Sequence, residues 1–215
     1  MSRARTAAAV IAVYVLLRAM LWRVAGARAT PLFGVAIAAI VFASWRRDGA
    51  TLASLGLAQS SLRSGWPSAI AATFAGVLLL VAAGTAVGSV SIAEARFSWL
   101  GDYALGIAAQ QLLLQGFFAP GLAALAASLP SDRRGAFAVG ASAIAFSGLH
   151  APNPGLMIGV GLAGAFWVAH FRAHRNLVAV LASHLALGIA AMVSLGPGPL
   201  WNLRVGAGAL ELMRR

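Results

Sequence analysis

The sequence has 215 residues, of which 60% are hydrophobic and 10% charged, and its mean hydropathy is +0.85. Soluble domains carry about 25% charged residues, so this composition excludes a soluble globular enzyme and predicts membrane-spanning helices. The formal net charge of +11 comes from 16 basic residues, all of them arginine, which are scattered at the ends of apolar segments. That distribution is explained by the positive-inside bias and by contact of the arginines with anionic lipid headgroups, and it argues against nucleic acid as a partner.

Apolar segments of membrane-spanning length recur along the chain and predict an all-α, polytopic transmembrane bundle of about seven spans, with six to eight as the range. The arginine bias favours a cytoplasmic N-terminus. We expect the first segment to be a retained helix, with a signal peptide as the alternative. The predicted spans cover residues 7–22, 31–45, 66–90, 103–129, 136–150, 156–171 and 176–195.

The spacing of these segments divides the chain into three regions. We expect an N-terminal helix pair at 1–50, a membrane core at 51–195 and an interfacial C-terminal tail at 196–215. Within the core, Pro120-Gly121 predicts a kink in the fourth span, because proline lacks an amide hydrogen. The mixed segment Ser91 to Asp102, which holds Glu94, Arg96 and Trp99, is expected at the membrane interface.

Polar side chains inside the predicted spans are the first candidates for function, because an unpaired polar group in hydrocarbon costs several kcal/mol. Antiparallel packing of the spans predicts that Gln110, His150 and His184 converge in one half of the bilayer. Gln111 and Gln115 are one helical turn apart and are expected to share a face, which the adjacent pair of glutamines cannot do.

A second pair of histidines, His170 and His174, ends the sixth span one turn apart. This spacing is compatible with a metal site. Because Arg172 and Arg175 are close by in the chain, the sequence favours an interfacial basic cluster instead. His150 and His184 without a carboxylate make a poor zinc site, so no metal and no other cofactor is expected.

Three motifs in chain order carry a resemblance to a known family. The segments are Gln110-Gln111-Leu-Leu-Leu-Gln115-Gly-Phe-Phe, Phe146-Ser-Gly-Leu-His150, and the stretch from Asn176 to Gly188 that contains His184. Together they resemble the CPBP family of intramembrane proteases, which comprises CAAX prenyl endopeptidases and bacteriocin-processing (Abi) proteins. The resemblance covers roughly residues 51–195, including a Leu-Gly-Leu linker near Leu55.

This resemblance implies roles for individual residues. In the family, the first glutamate and the histidine of the second motif activate a water, and a later histidine and asparagine stabilise the oxyanion. The family-equivalent catalytic positions here are Gln110, His150 and His184, and the equivalent binding positions are Gln111, Gln115, Phe146 and Gly188. Of these seven, only Phe146, His150 and His184 match the family pattern. The departures are Gln110 and Gln111 for two glutamates, Gln115 for arginine and Gly188 for asparagine.

The departures decide which function the sequence favours. An amide has almost no basicity, and losing a general base typically costs about 10²–10⁴-fold in rate. We therefore expect a catalytically impaired homologue in a bacterial inner membrane that binds a peptide or a transmembrane segment of another membrane protein. The first alternative is an active, atypical intramembrane endopeptidase that processes a prenylated, bacteriocin-like or sorting-signal substrate. A small transporter or channel is the third possibility.

Overall fold

A computed structural model describes residues 3–23, 26, 29–91, 100–196 and 198–213. Within these ranges the regular secondary structure is helical, as the composition predicts. A π-helical turn at Leu114–Phe118 joins two of the α-helices, so that helical residues run without a break from 100 to 125. The α-helices are α1 Arg3–Leu21, α2 Thr30–Asp48, α3 Trp66–Ala86, α4 Leu100–Leu113, α5 Ala119–Leu125, α6 Ser131–Leu149, α7 Pro154–His174, α8 Leu177–Leu195 and α9 Gly206–Met213.

Four of the described helices, α1, α3, α7 and α8, are long and apolar enough to cross a membrane. The prediction of seven spans is therefore confirmed only in its coarser form, an all-α protein with several apolar helices. The helix α6 is also 19 residues long, but Asp132 lies in its first turn and Arg133 and Arg134 follow. Glu94, Arg96 and Trp99 of the expected interfacial segment lie outside the described residues, whereas the end of that segment, Leu100 to Asp102, forms the start of α4.

The fourth predicted span departs from a regular helix just before its proline. Pro120 lacks the N–H that would pair with the Gly116 carbonyl in an α-helix. That carbonyl instead accepts a hydrogen bond of 2.8 Å from the indole nitrogen of Trp45 on α2. The π-helical turn begins at Leu114 and contains Gln115. Single π-helical turns within α-helices are frequently found at functional sites.

Asparagine side chains cap the two helices that follow short connections. Asn153 accepts a hydrogen bond from the Leu156 amide at 3.1 Å and starts α7. Asn176 accepts one from the Ala179 amide at 3.0 Å and starts α8. Both caps satisfy amides that have no partner inside the helix, so they determine where each helix begins.

Two apolar clusters hold the helices together. The larger cluster is centred on Trp167, Phe171 and Val180 of the α7–α8 pair. The second joins α1 and α2 to Phe117 and Phe118. At the end of the chain, the Gly206 amide donates to the Ala151 carbonyl at 2.9 Å and Glu211 pairs with Arg23 at 3.1 Å, so that α9 lies beside the end of α6.

Candidate functional site

A series of hydrogen bonds between uncharged side chains lies in the interior between α4 and α8. The Gln115 amide donates to Oε1 of Gln111 at 3.0 Å, and Nε2 of Gln111 donates to Nδ1 of His184 at 2.9 Å. Gln111 is 0% exposed and Gln115 is 2% exposed. Because Nδ1 of His184 accepts, the neutral imidazole carries its proton on Nε2.

The side chains around His184 hold its ring in one orientation. The indole of Trp167 stacks on it at 4.2 Å between ring centroids, and the ring of Phe146 meets it edge-on at 6.0 Å. Trp167 is held in turn by a hydrogen bond of 3.0 Å to Oγ of Ser183, which also accepts one of 2.8 Å from Thr73. Helices α3, α6 and α7 therefore all contribute to the position of His184.

His150 directly follows α6 and also contacts Phe146. Its Nδ1 donates to the Phe146 carbonyl at 2.8 Å, and its ring meets the Phe146 ring at 4.8 Å. In the neutral form this bond leaves Nε2 as a hydrogen-bond acceptor. Phe146 therefore contacts the rings of both histidines.

A cavity of about 300 Å³ adjoins His150 and is largely apolar. Gln110 also lines it, and Oε1 of Gln110 is buried with no hydrogen-bond partner among the described residues. The remaining lining comes from α1, α4, the π-helical turn, α6 and the tail: Leu17, Met20, Leu21, Gly106, Ala109, Leu113, Leu114, Phe118, Ala145, Phe146, Leu149 and Val205.

The structure thus divides the predicted group of Gln110, His150 and His184 into two parts. Gln110 and His150 line the cavity, whereas the glutamine that contacts His184 is Gln111. Adjacent residues of a helix point about 100° apart, so only one of the two glutamines can face α8. Gln111 and Gln115 share a face, as their spacing predicts.

Position 188 lies one turn beyond His184 on α8. A Cβ at Gly188 would collide with the hydroxyl of Tyr103, which reaches across from α4. Tyr103, Trp167 and Ser183 were not predicted as site residues. Only Ser183 had a sequence signal, its position next to His184; aromatic residues in an apolar helix give none.

The described carboxylates lie away from this centre. Asp48 pairs with Arg47 at 3.0 Å and Glu211 pairs with Arg23, while Asp102 and Asp132 lie in the first turns of α4 and α6. All four are exposed. In the described part of the chain, the groups around His184 and the cavity are therefore neutral amides, imidazoles, hydroxyls and aromatic rings, which can donate and accept hydrogen bonds but include no carboxylate base.

The second histidine pair lies at the end of α7. The ring centroids of His170 and His174 are 4.7 Å apart. Ser64 is hydrogen-bonded to His174 at 3.2 Å, and Ser68 to His170 at 3.4 Å. Among the described residues, no group of three or more potential metal-ligating side chains lies together.

Comparison with known proteins supports the family resemblance. Residues 92–190 match the family model described as type II CAAX prenyl endopeptidase Rce1-like. No curated protein and no solved structure matches the chain. The matched segment contains the three motifs up to Gly188, together with α4 to α7 and most of α8. Over residues 92–190 this membrane protein is therefore similar to the Rce1-like CAAX endopeptidases that its motifs indicated.

Proposed function

We propose that this protein is a catalytically impaired relative of the CAAX-type endopeptidases and binds a peptide or transmembrane segment of another membrane protein. The observation that carries this proposal is the buried chain from Gln115 through Gln111 to His184. Its members are neutral, and its two hydrogen bonds are well formed at about the usual length.

The neutrality of this hydrogen-bonded group explains why glutamines replace the family's glutamates and arginine together. A buried charge without its partner is strongly destabilising, whereas replacing a whole charged group by neutral residues of similar volume is often tolerated. Glutamine is close in shape to glutamate and retains both a donor and an acceptor. Gln115 donates to Gln111, and Gln111 donates to His184, so the fold keeps this polar contact without a general base. Oε1 of Gln115 is buried with no hydrogen-bond partner among the described residues.

The cavity beside His150 is the proposed binding place. Its volume of about 300 Å³ accommodates large apolar side chains of a bound segment. The unpartnered Oε1 of Gln110 offers an acceptor to an N–H of that segment. Mostly apolar walls with a few polar groups that fix orientation are typical of binding sites.

The proposed topology has seven spans, with the N-terminus in the cytoplasm of a bacterium and the protein in its inner membrane. Large apolar side chains point outward from α2, α4 and α6 as well as from the four apolar helices. Examples are Leu32 at 71% exposure, Leu105 at 72% and Ile144 at 75%. Such side chains need lipid around them, which supports counting these helices as spans.

One observation favours a second candidate, an active and atypical endopeptidase. His150 adjoins the cavity, and the bond from its Nδ1 to Phe146 leaves Nε2 able to accept a proton from a bound water. This candidate predicts a cleavage product that depends on His150.

Complementation of a deletion strain separates the two candidates. The strain would carry the wild type, His150→Ala, His184→Ala or, as a matched control, His174→Ala, and the termini of membrane proteins and crosslinked partners would be measured. We expect one specific partner with the wild type and the control, weaker crosslinking with His150→Ala, and no terminus that depends on the protein. A terminus that disappears with His150→Ala or His184→Ala, while the variant is folded, would overturn impaired catalysis.

A further inference from the structure

A second cavity lies between the start of α1, the end of α2, the π-helical turn and α5. Its volume is about 670 Å³, more than twice that of the cavity beside His150, and the two cavities have no lining residue in common. We call it the α1–α2 crevice. The proposed function makes no use of it.

The α1–α2 crevice is charged at one end and apolar further in. Arg5 comes from the first turns of α1, and Arg47 and Asp48 end α2, so the charged residues are gathered where these two helices meet. All three are exposed. Val10, about 7.5 Å further along α1, and Phe117 of the π-helical turn line the crevice as well and are buried. A charged mouth above an apolar interior suits an amphiphilic ligand.

The hydrogen-bond donors that remain free in the crevice are guanidinium groups. The indole of Trp45 donates to the Gly116 carbonyl at 2.8 Å, and the Ser44 hydroxyl donates to the Ile40 carbonyl at 2.9 Å. Arg47 donates to Asp48 through Nε at 3.0 Å and Nη2 at 3.4 Å, which leaves Nη1 for another acceptor.

Arg5 is the second source of donors. It forms no hydrogen bond or ion pair with any residue that the structure describes. Guanidinium groups bind oxyanions best, because their N–H groups match the geometry of carboxylate and phosphate oxygens. Two arginines and one aspartate give the lining a net charge of +1, which one singly charged anion balances.

We propose that the α1–α2 crevice binds one anionic phospholipid. Arg5 and Nη1 of Arg47 donate to its phosphodiester oxygens, and an acyl chain lies against Val10 and Phe117. The apolar interior favours a lipid over free phosphate, since a free anion would leave those walls uncovered. The site is independent of the proposed function, because it shares no residue with the cavity beside His150.

The thermal midpoint in an uncharged detergent tests this site. Dioleoylphosphatidylglycerol, which carries a net negative charge, would be compared with dioleoylphosphatidylcholine, which has the same chains and no net charge. A ligand that binds only the folded state stabilises it, so we expect phosphatidylglycerol to raise the midpoint by about 3 °C more than phosphatidylcholine. Glycerol 3-phosphate, which has the phosphate without the chains, is expected to give no shift at the same concentration.

Charge-matched variants show whether the two arginines of the crevice act specifically. Arg5→Gln and Arg47→Gln are each expected to lose at least half of the shift that phosphatidylglycerol produces. Arg3→Gln and Arg46→Gln are the controls, because they remove the same charge from the same helices, are exposed and lie outside the crevice. Both controls are expected to keep the shift.

A change of size without a change of charge tests the apolar interior. Ala124 of α5 lines the crevice and is exposed, so Ala124→Phe would fill the space and is expected to reduce the shift by at least half. Ala127→Phe is the control, since Ala127 is also exposed and does not line the crevice.

The results that would overturn the proposal differ by arm. An equal loss in all four arginine variants would mean that overall charge, and not this crevice, attracts the lipid. An equal shift with phosphatidylcholine, or no shift with either lipid, would rule out an anionic lipid site. A shift with glycerol 3-phosphate as large as that with phosphatidylglycerol would identify the ligand as free phosphate. An unchanged shift in Ala124→Phe would show that no acyl chain enters the crevice.

Discussion

The two histidine sites of this protein use similar contacts in different surroundings. His184 and His174 each form a hydrogen bond with a neutral side chain, and each packs against another ring. The partner of His184 is Gln111, which comes from the interior of a facing helix and is fully buried. The partner of His174 is Ser64, which belongs to the connection before α3.

The difference shows where this fold depends on its polar groups. In the interior, neither water nor lipid can replace a lost partner, so each broken hydrogen bond leaves an unsatisfied group. At the end of α7, water and headgroups can take the place of a serine hydroxyl. The interior contact is thus expected to be sensitive to single substitutions, and the contact at the helix end tolerant of them.

The largest expected effect comes from a single buried charge. Gln115→Arg places a guanidinium where the wild-type side chain is 2% exposed, and we expect a loss of about 3–5 kcal/mol in the free energy of unfolding. Unfolding in detergent would measure it, with Gln59→Arg on the exposed connection as the control. Adding Gln111→Glu supplies an opposite charge one turn away and should recover part of the loss. If Gln111→Glu recovers none of the stability that Gln115→Arg loses, the idea that the family's buried charges were replaced as a group would be contradicted.

A smaller effect is expected when the polar chain is cut without adding charge. Gln111→Leu keeps the volume but leaves Nδ1 of His184 without its donor and Gln115 without its acceptor. We expect a loss of about 1–2 kcal/mol, since hydrogen bonds between membrane helices are individually modest. The same unfolding measurement checks it. An unchanged stability would mean that the interior contact is as replaceable as the one at the end of α7.

The smallest expected effect concerns the histidine pair at the end of α7. Ser64→Ala removes the hydrogen-bond partner of His174, and we expect a change within about 0.5 kcal/mol, because water can replace the hydroxyl. A loss as large as that of Gln111→Leu, measured in the same way, would show that this end of α7 is also closed to water and would remove the contrast between the two sites.

Much of the fold was predictable from the chain itself. Long apolar segments between arginine-rich ends predict helices in a membrane, since only helices satisfy their own backbone there. The spacing of Gln111 and Gln115 predicts a shared face, and the structure joins them by a hydrogen bond. Pro120 predicts an interruption of the fourth span, although the irregular turn begins six residues earlier, at Leu114.

The rotation of each helix about its axis was not predictable, and it decides the site. Apolar residues surround these helices on nearly all sides, because lipid and neighbouring helices both favour them, so the pattern does not show which face packs inward. Only the packed structure shows that Gln111 rather than Gln110 meets His184, that Tyr103 reaches Gly188, and that Trp45 reaches the Gly116 carbonyl. Local sequence thus determines helices and the spacing along them, whereas contacts between distant helices depend on how all of them pack together.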